Sequence, residues 1–302
     1  MILAPAGEQF RRLPKATHTH LQAKAAESYT PIQMDAARDD IFDIFENTKN
    51  TKQLQISMGH FIADFTLCRF NIILRVMYGK FMPTAIDARA LLESHATWRP
   101  AKLDPHFLGT FPRISLRTSF RMKKWPSSLF GAGSDATAVA IMVVVMAAAC
   151  YPKAQEKVQE ELDTVIGRGR SPTLDDYGSL PQIEAFTLEY LRWRPVTTLG
   201  FAHRALTDIP YKDICIPEGA IVFGNHWAIS RDPNVYPNPD KFDPERWLGS
   251  DGKIREDLKF PSYGFGRRIC PGRRIANRSI FIKLALVLWS FKITQDPENP
   301  ID

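Results

Sequence analysis

The chain has 302 residues, of which 44% are hydrophobic and 24% charged, which is ordinary for a soluble globular protein of one large or two small domains. Its net charge of +6 is a mild basic excess, and no block of lysines and arginines alternates with aromatic residues, which argues against nucleic-acid binding. The four cysteines, at positions 68, 150, 215 and 270, have no spacing typical of a disulfide framework or a zinc site, and they favour a reducing compartment.

Helical patterns account for most of the chain. Apolar residues recur at helical spacing from Met34 to Phe45, and a second such pattern covers residues 56–78. Residues 83–126 contain five prolines and show poor periodicity, so they are predicted to be irregular. Further helices are predicted at 127–150, from Pro152 to Gly167, and at 181–194. The longest apolar run, 136–150, is shorter than the ~20 residues that cross a bilayer, which predicts a buried helix.

The start of the 127–150 helix has an unusual composition. Gly131 and Gly133 each cost about 1 kcal/mol relative to alanine in a helix interior, which suggests a backbone opened for function. Asp135 lies in an otherwise apolar helix, where a carboxylate must find a partner. The alternative is a solvated first turn with Asp135 near the N-terminus of the helix.

A small β region follows residue 210. The runs Ile214–Ile216 and Ala220–Phe223 flank Pro217-Glu-Gly219, which predicts that they pair as a hairpin. Residues 225–230 are predicted to form a short helix and residues 234–244 a proline-rich coil. An apolar helix is predicted from Ile275 to Trp289.

Residues 260–272, Phe-Pro-Ser-Tyr-Gly-Phe-Gly-Arg-Arg-Ile-Cys-Pro-Gly, are called here the cysteine loop. Its glycines allow positive φ and close approach to a flat partner. Peptide N–H groups and a helix N-terminus would favour a thiolate at Cys270, and the arginines suit carboxylate groups on a ligand. A thiolate-ligated haem requires this combination. The alternative is a buried structural cysteine. A dinucleotide-binding loop is excluded, because no strand precedes Gly264 and the third glycine is missing.

The segment Tyr263-x-x-Gly-x-Arg268-x-Cys270-x-Gly272 resembles the haem-binding loop of the cytochrome P450 family, in which Phe usually stands in place of Tyr263. Glu189-Tyr-Leu-Arg192 resembles the family's Glu-x-x-Arg motif, whose pair joins a downstream arginine, here Arg246, in a buried structural triad. The alternative is a solvated i,i+3 ion pair of little energetic weight.

Other segments resemble the family in the same order along the chain. Residues 132–135 resemble the oxygen-activation segment of its long central helix, and His203-Arg204 resembles the strand that sends an arginine to a haem propionate. The resemblance implies a mainly α fold with a small β region, one partial domain over 1–302 whose best-matched core is 129–293, and fungal relatives. It implies these site residues: Cys270 as axial thiolate, Arg268 and Arg204 on propionates, and Asp135 and Thr137 over the distal face for proton delivery.

The reaction that the resemblance implies is insertion of one oxygen atom of O2 into a small, apolar organic substrate, with haem as the cofactor. Electrons would come from NADPH through a flavoprotein reductase that docks on the cysteine side, where Arg267, Arg273 and Arg274 are expected to face an acidic surface. Family members usually lie at the endoplasmic reticulum membrane facing the cytoplasm. No anchor or signal peptide is recognised at the start of this chain, so a cytoplasmic or peripheral location is predicted.

The chain also departs from the family pattern. Compared with the family it is expected to be truncated at the N-terminus, in the middle and at the C-terminus. Phe10 and Pro14 replace the tryptophan and arginine of a helix that contacts a propionate, and Ala136 stands where a catalytic alcohol is expected. The alternative function is therefore a non-catalytic remnant that folds poorly, or binds haem weakly or not at all.

Overall fold

The computed structural model describes residues 21, 23–48, 125–298 and 300–301. The predicted helix at 56–78, the proline-rich segment up to residue 124, Phe10, Pro14 and Cys68 lie outside the described residues. Within them the α-helices are α1 (Ala23–Ser28), α2 (Thr30–Thr48), α3 (Trp125–Cys150), α4 (Pro152–Val165), α5 (Pro181–Trp193), α6 (His226–Ser230) and α7 (Arg273–Ser290). Single 3-10 turns occur at Leu174–Asp176, Pro244–Trp247 and Gly266–Arg268.

Helix α7 lies at the centre of the helical core. Every residue from Ser279 to Leu288 is buried, because α2, α3, α4 and α5 all pack against this helix. A helix that is apolar on all sides is stable in water only when other elements cover it. The helix therefore places the cysteine loop, which immediately precedes it, on the edge of the main core.

The predicted helices from 127 onwards are confirmed within a few residues. Pro152 opens α4, where Val158 and Leu162 are buried as the apolar periodicity predicts, whereas Val165 is 49% exposed. Gly167 has φ +71° and ends the helix in the left-handed region that favours glycine. Helix α2 is also confirmed, with Met34, Ala37 and Ile44 buried.

Two glutamines of α4 bind the chain that follows α7. The side-chain amide nitrogen of Gln155 donates to the carbonyl oxygen of Ile293 (2.8 Å), and its oxygen accepts from the Ile293 N–H (2.8 Å). Gln159 donates to the carbonyl oxygens of Leu288 and Phe291, both at 3.0 Å. The bond to Leu288 satisfies a carbonyl in the last turn of α7, which has no partner inside the helix, and the other bonds fix the chain just beyond it.

The predicted pairing of the β-hairpin is wrong. Strand β3 (Ile214–Ile216) pairs antiparallel with β2 (Ile209–Tyr211), and β4 (Ile221–Val222) pairs antiparallel with β1 (His203–Arg204). The turn between β2 and β3 is Lys212-Asp213, with Lys212 at φ +52°. Lysine is an unusual residue at positive φ, so this turn carried no sequence signal, whereas Pro217-Glu-Gly219 did.

The remaining predictions in this region hold. Helix α6 is present, with the Asn225 side chain accepting the N–H of Ala228 as its N-cap. The described residues thus confirm a mainly α fold with a small β region. In this part of the chain no single helix has the length and apolarity to span a bilayer. The segment 136–150 and α4 are long and apolar enough only when taken together, and the chain bends by 102° between them.

Candidate functional site

The cysteine loop folds back on itself before α7 begins. Gly264 and Gly266 have φ of +84° and +51°, and a 3-10 turn follows over Gly266–Arg268. The N–H of Cys270 donates to the carbonyl oxygen of Tyr263 at 2.8 Å. The thiol is consequently fixed, half-buried, two residues before the N-cap of α7 at Gly272.

The sulfur of Cys270 lies close to backbone N–H groups at the start of α7. Burial raises the pKa of the thiol, while the N–H groups of Gly272 and Arg273 and the charge of Arg273 act in the opposite direction. These donors act in the direction of the thiolate, and burial is the larger effect. A half-buried sulfur with two peptide donors fits a thiolate bound to an iron, whose positive charge offsets that burial.

Tyr263 occupies the position where the family usually has phenylalanine. Its hydroxyl donates to Oδ1 of Asn277 on α7, and burial raises its pKa far above the ordinary tyrosine value. The extra hydroxyl is therefore satisfied by a hydrogen bond that ties the cysteine loop to α7. The role of Asn277 was not predicted, because no sequence pattern links it to Tyr263.

Glu189 forms ion pairs with both arginines that the sequence grouped with it. Arg192 donates to both carboxylate oxygens, at 2.9 and 2.6 Å, and both side chains are completely buried. Arg246 donates from Nε at 3.2 Å, and its side chain is 8% exposed. The carboxylate also accepts the Trp247 indole N–H (2.9 Å) and the Asp243 backbone N–H (2.8 Å). The solvated-pair alternative does not describe this geometry.

The two arginines also hold the coil that follows α6. Arg192 donates to the carbonyl oxygens of Ser230, Pro239 and Lys241, and Arg246 donates to that of Pro237. A guanidinium offers five N–H donors in a rigid fork, which suits several carbonyls at once. The network therefore fixes residues 230–246 against α5.

The two predicted propionate arginines differ in exposure. Arg268 is half-buried in the 3-10 turn of the cysteine loop, and burial lowers its pKa. Arg204 is exposed, and its guanidinium lies beside the turn at Gly219, where a Cβ would be 3.6 Å from Nη2. The half-buried residue of β1 is His203, which sequence reasoning passed over in favour of the charged neighbour.

The predicted distal segment lies in the first half of α3. Ala136 is exposed, and the Thr137 hydroxyl donates to the carbonyl oxygen of Gly133 at 3.1 Å, one turn earlier. The side chain of Asp135 lies outside what the structure describes. At the start of α7 and in the turn before it, Arg267, Arg273 and Arg274 are all exposed.

Comparison with known protein families gives a match to the family described as cytochrome P450 over residues 122–302. Cytochrome P450 monooxygenases 88 and 64 of Postia placenta are each 36% identical to this chain over 357 residues, which cover 100% of the chain and 70% of each relative. Cytochrome P450 monooxygenase claR of Ampulloclitocybe clavipes is 42% identical over 174 residues, 57% of the chain and 32% of that relative. The 357 residues exceed the 302 of this chain, so the first two alignments include positions with no counterpart here.

Proposed function

Since the chain belongs to the cytochrome P450 family, whose members are haem-thiolate monooxygenases, we propose that it binds haem through Cys270 and oxidises a small, apolar organic substrate. The observation that carries the proposal is the half-buried Cys270, which its N–H bond to Tyr263 holds in the cysteine loop beside the start of α7. When bound, haem would supply the chemistry that inserts one oxygen atom of O2 into the substrate and reduces the other to water.

The residues of this chain would hold and orient that group. Cys270 would ligate the iron, with the N–H groups of Gly272 and Arg273 stabilising the negative charge on its sulfur. Arg268 would pair with a propionate, where its half-buried position strengthens the ion pair. Arg204 is the second candidate for a propionate contact, and the half-buried His203 of the same strand is the alternative residue for that contact.

We propose that Asp135 and Thr137 lie over the distal face, in the region through which protons are delivered. A hydroxyl on this face of α3 would position the water that carries protons into the site. Ala136 has no hydroxyl, and the Thr137 hydroxyl is engaged by the Gly133 carbonyl. The alanine at position 136 and the engaged hydroxyl of Thr137 support the proposal that electrons are used inefficiently, with part of the oxygen released as peroxide.

A NADPH-dependent flavoprotein reductase is the proposed electron donor. Arg267, Arg273 and Arg274 are exposed at the start of α7 and beside Cys270, where they would meet acidic groups on that partner. The proposed location is cytoplasmic or peripheral to the membrane, whereas family members usually lie at the endoplasmic reticulum membrane facing the cytoplasm.

The alternative is a partial, non-catalytic domain that folds poorly, or binds haem weakly or not at all. It is favoured by the alignments with the Postia placenta relatives, which include positions absent from this chain. Missing segments would leave apolar helix faces uncovered, and a net stability of about 5–15 kcal/mol tolerates little of that.

The ferrous–CO spectrum of the purified chain tests the proposal. We expect the red-shifted Soret band of thiolate ligation, its loss in Cys270→Ser, and its retention in Cys150→Ser and Cys215→Ser. An unchanged band in Cys270→Ser would overturn the ligand assignment. A wild-type chain that retains no haem would establish the alternative.

A further inference from the structure

His226 connects two segments of the site that lie far apart in sequence. It is the first residue of α6, its side chain is 3% exposed, and its Nδ1 lies 3.1 Å from the carbonyl oxygen of Thr197. The ring centroid lies 5.9 Å from that of Phe260 and 5.7 Å from that of Phe265. His226 therefore contacts both the segment 197–200, which follows α5, and the cysteine loop.

The backbone around the imidazole leaves little space. Gly200 has φ +64°, and a Cβ there would lie 3.2 Å from Nε2 of His226 and 2.9 Å from the carbonyl oxygen of Gly224. A Cβ on Gly224 would lie 2.3 Å from Cε2 of Phe265. Two glycines thus make room for the imidazole and the phenyl ring, which fill the gap between the segments.

The second ring nitrogen of His226 has no role in the mechanism above. Nε2 is buried and has no hydrogen-bond partner among the described residues. A neutral imidazole that donates from Nδ1 to Thr197 leaves Nε2 as an unprotonated acceptor. Protonation would place a charged N–H in a buried position near two phenylalanine rings, without an acceptor among the described residues.

We propose that His226, in its neutral form, is a positioning residue that fixes the cysteine loop against the segment 197–200. Its consequence for Cys270 rests on the proposed function, in which that cysteine ligates iron. His226 contacts neither the sulfur nor the reacting atoms, so its effect passes through Phe260 and Phe265.

The charge state of His226 gives the proposal a direction with pH. Burial lowers the pKa of His226, and the bond to Thr197 offsets part of this effect. The cysteine loop, which packs against the ring, holds the titratable or charged side chains of Tyr263, Arg267, Arg268 and Cys270, and the hydroxyl of Tyr263 is turned to Asn277. The segment 197–200 and the other residues of α6 hold none. Because the folded pKa lies below the unfolded value, the packing is stable above a pH of about 6.5 and weakens as the pH falls.

Hydrogen exchange on the purified chain at neutral pH tests the packing without haem. In His226→Ala we expect exchange in 197–200 and 260–270 to rise roughly two- to tenfold, with no change in the hairpin 209–216. His226→Phe should restore slow exchange in 260–270 only, since it keeps the ring and loses the donor. Trp227→Ala is the matched control, because it removes the adjacent, 37% exposed ring of the same helix. Unchanged exchange of 260–270 in His226→Ala, or an equal rise in Trp227→Ala, would overturn the proposal.

The haem-loaded protein tests the consequence for Cys270. We expect the thiolate-type ferrous–CO band of the wild type to decline as the pH falls below about 6.5, and His226→Phe to retain it to lower pH. The same midpoint in both proteins would overturn the pH dependence. If the wild type shows no such band, the proposed function fails, and the exchange experiment alone decides the role of His226.

Discussion

At the scale of single residues, the Glu189 carboxylate has four partners in the site. Two guanidinium groups and two neutral N–H donors share its two oxygens. Burial makes each of these interactions stronger than it would be in water, but it also makes an unpaired charge costly. Removing the carboxylate is therefore expected to cost more free energy than the intact network contributes to net stability.

Glu189→Gln should destabilise the protein by about 3–5 kcal/mol, because it leaves two buried guanidinium groups without an anion. Unfolding in urea measures the change, and haem retention should fall with it. Lys157→Gln is the control, since it removes an exposed ion pair with Glu245 (3.0 Å) that is expected to contribute at most about 1 kcal/mol. Equal stability of the two variants would show that the network is energetically a surface pair.

Ala136→Thr should increase product formed per NADPH consumed, because it places a hydroxyl on the exposed face of α3. Thr137→Ala should change this ratio little, since one helical position rotates a side chain by about 100° and the Thr137 hydroxyl is engaged by Gly133. Parallel measurement of NADPH, product and peroxide gives the ratio. A collapse of the ratio in Thr137→Ala would identify Thr137 as the proton relay.

At the scale of elements, polar groups attach α2 to α7. Gln33 donates to the Ser279 hydroxyl at 2.7 Å, and Lys283 donates to Asp40 at 2.5 Å, with both charged side chains at most 3% exposed. A lysine within an apolar helix was not singled out from the sequence, because its partner lies more than 240 residues away. Such a pair fixes the register of two helices that apolar contacts alone would leave less defined.

Lys283→Met should destabilise the protein by about 3–5 kcal/mol, since it leaves the Asp40 carboxylate buried beside an apolar chain. The double variant Asp40→Leu/Lys283→Met should recover most of that loss. Thermal unfolding of the single and double variants measures both effects. A double variant no more stable than Lys283→Met would indicate that Asp40 has a separate structural role.

The sequence predicts those elements whose signals are local. Proline at N1 and glycine after the last turn place α4 within two residues, and Glu189 with Arg192 is recognisable at a spacing of three. The strand pairing failed because Lys212 turns the chain without a typical turn residue. The Trp247 indole and the His226 ring act through contacts between distant segments, which periodicity cannot show.

At the scale of the whole molecule, the core is built from segments at opposite ends of the chain. Helix α7, near the end, packs against α2, near the start, and against α3, α4 and α5 between them. Haem binding would stabilise this arrangement through mass action, because the site exists only when α7 and the cysteine loop are in place.

The bonds from Gln155 to Ile293 have a consequence for synthesis on the ribosome. Their partners are 138 residues apart, and at about 5–20 residues per second the later one is made roughly 7–28 s after the earlier one. For most of that interval α7, which packs against the apolar faces of α3 and α4, has not yet been synthesised. We therefore expect nascent chains to depend on chaperones. Translation without added chaperone should give a lower yield of soluble protein.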